Sequence, residues 1–269
     1  MSDKSKTVRP YSDSSVLITG GTSGVGLATA LQLVDAGVTR IALLGRNQDR
    51  GEIARKTVLA RASEANIPEA NIVFISADAS KIDQAARAVH EAKSRLGSID
   101  VLINSTIGLY TPEPLQKIAL EDIEPILLAT MLAPMLMSRL VLESMRERGG
   151  GVILNMASDA AKVPTPGETI LGAGMAGIVV FSRTLAMEAK RFGIRVNAIT
   201  PSLIEGTPTA ARVQKEGFSA KLFERVAALA DLGVATPEDL AALLVFLCGP
   251  GAARLTGQTI SVNGGISAA

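Results

Sequence analysis

The sequence predicts a single α/β domain built on a doubly wound, mostly parallel sheet of seven strands. Three observations predict it. Strand-like and helix-like segments alternate from residue 15 onward, the pattern of parallel strands joined by crossover helices. Several strand segments are continuous apolar runs, such as Ile72, Val73, Phe74 and Ile75, or Val101, Leu102 and Ile103. Such runs belong to strands covered on both faces. No linker-like shift in composition and no internal repeat interrupts the 269 residues, so one domain with a substantial core accounts for the length.

The elements follow in order. Residues 1–14 are polar, lack the apolar stretch of a secretory signal and read as a flexible tail. Strands are expected at 15–19, 40–44, 71–76, 99–103, 151–156, 194–199 and 257–262. Helices are expected at 25–36, 48–65, 81–95, 121–147, 170–191, 209–228 and 237–247. Gly37 stands where the first helix would take its C-cap. The domain thus spans 15–269, and in such a sheet ligands bind beyond the carboxyl ends of the strands.

The first strand, with Val16, Leu17 and Ile18, runs into Thr19, Gly20, Gly21, Thr22, Ser23, Gly24, Val25 and Gly26 before the first helix. A second strand then closes a unit of about 30 residues, the size of a dinucleotide-binding βαβ unit. Glycines here allow a sharp turn and a close approach of backbone to a pyrophosphate. The phosphates would rest on free N–H groups at the helix N-terminus, where the dipole favours anions. This is a Rossmann-type arrangement with Thr19, Gly20, Thr22, Ser23, Gly24, Val25 and Gly26 as cofactor residues.

NAD binders carry an acid about 20 residues past the glycines, which accepts from the ribose 2′-OH. Here the second strand ends in Leu44, Gly45, Arg46 and Asn47. A carboxylate would repel a 2′-phosphate, whereas a guanidinium fork pairs with it. The cofactor expected is therefore NADP rather than NAD, with Arg46 on the phosphate and Ser23 as an added donor. Asp78, followed by Ala79 after the third strand, fits an adenine-side contact; the other reading of Asp78 is a helix-capping residue.

The formal charge is +1 and gives no electrostatic case for nucleic acid or an anionic membrane. The most apolar run, 125–137, is broken by Pro134 and too short to span a bilayer. A cytoplasmic protein is the default, and no metal is expected. Cys248 is the one cysteine, in an apolar run that predicts a buried, inert thiol.

At this point the chain resembles the short-chain dehydrogenase/reductase family, over nearly all of residues 16–265. The TGxxxGxG pattern occupies 19–26, and Asp78 matches the acid after strand three. Asn104 matches the first residue of the family's NNAG segment, with Ser105, Thr106 and Ile107 in place of the rest. Ser158 matches the catalytic serine. Residues 193–201 resemble GIRVNAIxP, and 262–265 resemble the terminal VDGG. The resemblance implies cofactor contacts at Asn104, Pro201 and Ile204, and a substrate lid near 203–232. It also implies a homodimer or homotetramer, since helix 170–191 carries small and apolar residues around its girth, Val180 and Phe181 among them.

One departure matters. The family's YxxxK motif falls here on Leu171 and Met175, and Thr130 replaces the helix Asn that often completes a proton relay. Neither Leu nor Met can transfer a proton, and general acid–base catalysis needs a titratable group within reach. Ser158 is left as the intact catalytic residue. The other titratable candidates on cleft loops are Tyr110, Asp159, Lys162 and Glu168, each of which also reads as an ordinary loop or packing residue. His90, the one histidine, is expected on the surface, which argues against a Ser-His-Asp hydrolase. Three functions remain in view: an NADP-dependent oxidoreductase on a small, partly apolar carbonyl, alcohol or conjugated substrate, a lyase or isomerase using Ser158, and a catalytically silent nucleotide-binding subunit.

Overall fold

The computed structural model describes residues 9–108, 110–215 and 217–269. Its sheet has seven parallel strands in the order β3-β2-β1-β4-β5-β6-β7. These are β1 (Ser15–Thr19), β2 (Arg40–Gly45), β3 (Asn71–Ser76), β4 (Val101–Asn104), β5 (Gly151–Met156), β6 (Ile194–Pro201) and β7 (Thr259–Val262). The doubly wound fold expected from the sequence is present, and the sheet is parallel throughout rather than mostly so.

Alternation along β1 shows how both faces are closed. Val16 and Ile18 point into one core, formed with α1 (Gly24–Asp35), α2 (Gln48–Glu64) and α8 (Pro237–Cys248). Leu17 points into the other, formed with α3 (Ile82–Leu96), α4 (Leu120–Glu147) and α5 (Thr169–Ala189). Each fully buried aliphatic side chain contributes about 1.5–3 kcal/mol. α4 and α5 are long and apolar enough to cross a membrane by length and composition, but both pack on the sheet, as core helices of this fold must. Gly174 and Gly177 let them close together: a Cβ would lie 2.9 Å from Thr130 Cγ2 and 2.4 Å from Met131 Cε, respectively.

Two expectations need correction. The helix expected at 209–228 is two helices, α6 (Pro208–Val213) and α7 (Gly217–Ala227). Gly217 has φ +82°, which a continuing right-handed helix cannot accommodate. The polar tail is not free over its last residues. A short 3₁₀ turn at Tyr11–Asp13 docks on α8, with the Tyr11 hydroxyl donating to the Val245 carbonyl at 2.9 Å. An aromatic ring supplies the apolar anchor that a count of polar residues overlooks. Residues 1–8 lie outside the described residues.

β1 is flanked by β2 on one side and β4 on the other, so the chain reverses its winding there. Thr19 pairs in register with Leu44 and Asn104. The loops that follow these three residues leave the sheet together, and the crevice between them is where a ligand is expected.

Candidate functional site

A cavity of about 1020 Å³ opens above the carboxyl ends of the strands. Its volume is at the upper end for a small-molecule site. One half is built by the glycine loop and the ends of β2 and β3, the other by Ser158, the start of α5 and helices α6 and α7.

In the first half, Gly20 and Gly24 have φ +71° and +50°, which glycine adopts without strain. A Cβ on Gly26 would sit 2.4 Å from the Gly20 carbonyl, so the turn closes only without a side chain there. Ser23 is the N-cap residue of α1, yet among the described residues its side chain makes no capping bond, and the first turn holds no acid. The N–H groups at this end are thus left for an anionic ligand. Gly20, Thr22, Ser23, Gly24 and Val25 all line the cavity.

Arg46 and Arg50 line the same half. Asn47 caps α2 by accepting from the Arg50 N–H at 2.9 Å, which places Arg50 in the first helical turn beside Arg46. Arg50 was missed by sequence reasoning; an arginine in the first turn after a strand ending in arginine is the signal that marks it. Asp78 also faces the cavity and accepts from Ser80 N at 2.9 Å and Ser80 Oγ at 2.6 Å. Burial pushes its carboxyl up, but the Ser80 hydrogen bonds and the charges of Arg46 and Lys81 outweigh this and hold it below the usual range. These residues fit a dinucleotide: an uncapped helix N-terminus for the diphosphate, with Asp78, Ala79 and two cations lining the same cavity.

Three of the expected cofactor residues do not line the cavity. Gly26 packs inward. Thr19 Oγ1 donates to Asn104 Oδ1 at 3.3 Å, and Asn104 Nδ2 donates to Asn155 Oδ1 at 2.8 Å. Asn155 Nδ2 then donates to Ser182 Oγ at 2.9 Å. This buried chain crosses β1, β4 and β5 to α5, so the Thr19 and Asn104 side chains bind protein and set the strand ends in register.

In the second half, Ser158 follows β5 and lines the cavity. Its Oγ accepts from the Ala160 N–H at 3.2 Å, which orients the hydroxyl. Pro201 and Ile204 line the cavity after β6, and Thr207 Oγ1 donates to the Ile204 carbonyl at 2.9 Å. Leu171 and Met175 join Ala157, Ile178, Val179 and Ala198 in a small apolar cluster beneath Ser158; Met175 is only 3% exposed. Glu168 and Tyr110 also face the cavity. Burial pushes the Glu168 carboxyl up to about 7, against a hydrogen bond from Thr165 that lowers it.

Asp159 lines the cavity, but its carboxylate is held by other protein groups, as is the Lys162 ammonium. Asp159 accepts from Ser261 Oγ at 3.3 Å, Asn263 Nδ2 at 2.5 Å and Ser267 Oγ at 2.7 Å. Lys162 Nζ donates to Ser261 Oγ and to the Ala269 carbonyl. His90 is exposed on α3, away from the cavity, and Cys248 is buried with its thiol pushed up to about 12 by desolvation.

α6 and α7 cover the opening. Thr207 caps α6 by accepting from the Ala210 N–H at 3.1 Å and lies against Gly24, where a Cβ would meet Thr207 Cγ2 at 3.5 Å. Phe218 of α7 packs on Gly167: a Cβ there would lie 2.3 Å from Phe218 Cε1. Arg212, Leu222, Phe223 and Val226 of these helices line the cavity and were not singled out from the sequence.

The family model described as short chain dehydrogenase matches residues 14–217. A 3-oxoacyl-[acyl-carrier-protein] reductase of Synechocystis sp. is 30% identical over 251 residues, covering 93% of this chain and 95% of its own. A probable 2,4-dienoyl-CoA reductase of Bacillus subtilis is 32% identical over 262 residues, covering 93% and 95%. Among solved structures, a 3-ketoacyl-(acyl-carrier-protein) reductase from Brucella melitensis, complexed with NADH, superposes with a TM-score of 0.82. It is 27% identical and covers 96% of this chain and 100% of its own.

Proposed function

The chain belongs to the short-chain dehydrogenase/reductase family, and we propose that it is an NADP(H)-dependent oxidoreductase for a small, partly apolar carbonyl, alcohol or conjugated compound, working without the family's usual Tyr–Lys pair. The observation that carries this reading is one cavity that joins the uncapped N-terminus of α1 to the Ser158 hydroxyl. Gly20, Thr22, Ser23, Gly24 and Val25 would hold the diphosphate, with Arg46 and Arg50 supporting a 2′-phosphate and so NADP over NAD. When bound, the nicotinamide supplies or accepts a hydride.

The chain's own residues do the rest. Ser158, its Oγ already accepting from Ala160 N–H, turns its hydrogen to a substrate oxygen and polarises the bond to carbon. Glu168 is a titratable group lining the same cavity. With its carboxyl near 7 it carries a proton in a sizeable fraction of molecules at neutral pH and can hand it to the reduced substrate. α6 and α7, within 203–232, serve as the lid that keeps water out. The name of the dienoyl-CoA reductase relative supports a conjugated substrate as one form of this reading.

The outer faces of α4 and α5 support a homodimer or homotetramer: Val180 is 61% and Met187 62% exposed, with Leu128 also outward. A cytoplasmic location is part of the same proposal.

Titration with NADPH and NADH, followed by nicotinamide fluorescence and heat protection, tests the reading. Tight NADPH binding, weaker NADH binding and oxidation of NADPH by a carbonyl or enoyl compound are expected. The apolar cluster at Leu171 and Met175 favours a second reading, a silent nucleotide-binding subunit; NADPH binding without turnover of any such compound would establish it. Binding of neither nucleotide would leave a lyase or isomerase using Ser158 and Glu168.

A further inference from the structure

Arg212 is a partly buried cation in the cavity wall. Its Nε is buried without a hydrogen-bond partner, and Nη2 reaches the Gly108 carbonyl only at 3.4 Å. Burial lowers the guanidinium, and no carboxylate charge among the described residues counters that shift. Burying part of a guanidinium carries a cost, which a counter-charge arriving in the cavity offsets. The surrounding wall is largely apolar, with Ala129, Leu171, Leu222 and Leu229 facing the same space.

Resting on the proposed oxidoreductase reading, we infer that Arg212 selects the substrate by binding a carboxylate that the substrate carries. The reacting carbonyl or conjugated carbon would lie toward Ser158, the carboxylate toward α6.

The position on α6 separates this role from cofactor binding. Thr207, the N-cap of α6, lies against Gly24 at the diphosphate end. Arg212 is five residues further on, about 7 Å along the helix at 1.5 Å per residue. Its contact, Gly108, packs beside Ala129 and Tyr110 on the other side of the opening: a Cβ there would lie 3.4 Å from Ala129 Cβ and 3.5 Å from Tyr110 Cδ2. A planar guanidinium offers two parallel donors to a carboxylate from its Nη atoms, a geometry that a lysine cannot reproduce.

The test compares acetoacetate and levulinate with their neutral methyl esters, read by thermal shift on wild-type protein and on Arg212→Gln, each with and without NADPH. In the wild type the acids should stabilise at concentrations about 10- to 100-fold lower than the esters, the range of a charged hydrogen-bonded pair. In Arg212→Gln this preference should vanish while NADPH affinity stays within about twofold, since the diphosphate site is untouched. Equal effects of acid and ester on the wild type, or no effect of either, overturn the inference. So does an Arg212→Gln protein that loses NADPH affinity but keeps its acid preference, since the guanidinium would then serve the cofactor diphosphate. If wild-type protein binds no NADPH, the oxidoreductase reading fails, and the acid–ester comparison without cofactor still decides the role of Arg212. If Arg212→Gln does not fold, Arg212→Lys takes its place: a point charge without the fork should keep part of the preference, and an undiminished preference overturns the bidentate assignment.

Discussion

Lys162 Nζ donates to the Ala269 carbonyl at 2.6 Å and lies 3.6 Å from Asp159 Oδ1, so the last residues of the chain are tied to the loop that carries Ser158. Asp159, next to Ser158, is buried and receives three further side-chain hydrogen bonds, from Ser261, Asn263 and Ser267. The two residues are therefore the fixed frame of the serine rather than reagents.

Lys162→Met should loosen that frame. It leaves a buried carboxylate with neutral donors only, a loss of about 1–3 kcal/mol. Urea unfolding of wild type and variant checks the size, and a lower kcat with little change in NADPH affinity checks the effect on Ser158.

Glu168 should make stability fall with rising pH. Its carboxyl is near 7 in the fold, against 4.5 for an unperturbed group, so between these values the native state keeps a proton that the unfolded chain has lost. Stability is then lost as pH rises through that window and is level above it, by at most about 3 kcal/mol. Urea midpoints from pH 4.5 to 8 should slope downward in the wild type, and the slope should shrink in Glu168→Gln. If Glu168 is also the proton source, the variant loses turnover and the pH dependence of kcat near 7 together.

Arg46 and Arg50 should set cofactor choice. Replacing Arg46 with Asp puts a carboxylate at the end of β2, where it repels a 2′-phosphate and accepts from a ribose hydroxyl. NADPH affinity should drop about tenfold or more, with NADH affinity unchanged or improved. Equal losses for both nucleotides would remove Arg46 from this role.

Met175→Lys should not revive a family-like site on its own. Met175 lies in an apolar cluster with Ile178, Val179 and Ala198. An ammonium there is uncompensated and should cost about 3 kcal/mol or more, seen as a lower urea midpoint. The lysine should titrate well below its usual range, and bound NADPH should recover part of the loss if ribose hydroxyls reach it.

The layers and the ligand-binding end of the sheet were readable from the chain segment by segment. Apolar runs demand burial on both faces, alternation demands crossover helices, and the glycines at 20, 24 and 26 permit the tight turn into α1. These are local constraints, visible one segment at a time. That Leu171 and Met175 carry no titratable group is read directly from the sequence.

How distant side chains divide between frame and site emerges only from packing. Asn104 has the residue type of a ligand contact, yet it spends its hydrogen bonds on Thr19 and Asn155, which no spacing in the chain reveals. Asp159 and Lys162 look reactive beside Ser158, but the fold brings Asn263, Ser267 and Ala269 back to occupy them. Arg212 reads as one more surface cation in a mixed segment until α6 turns its Nε inward without a partner. Hydrogen-bond satisfaction and desolvation depend on neighbours far away in sequence, and those neighbours exist only once the chain has packed.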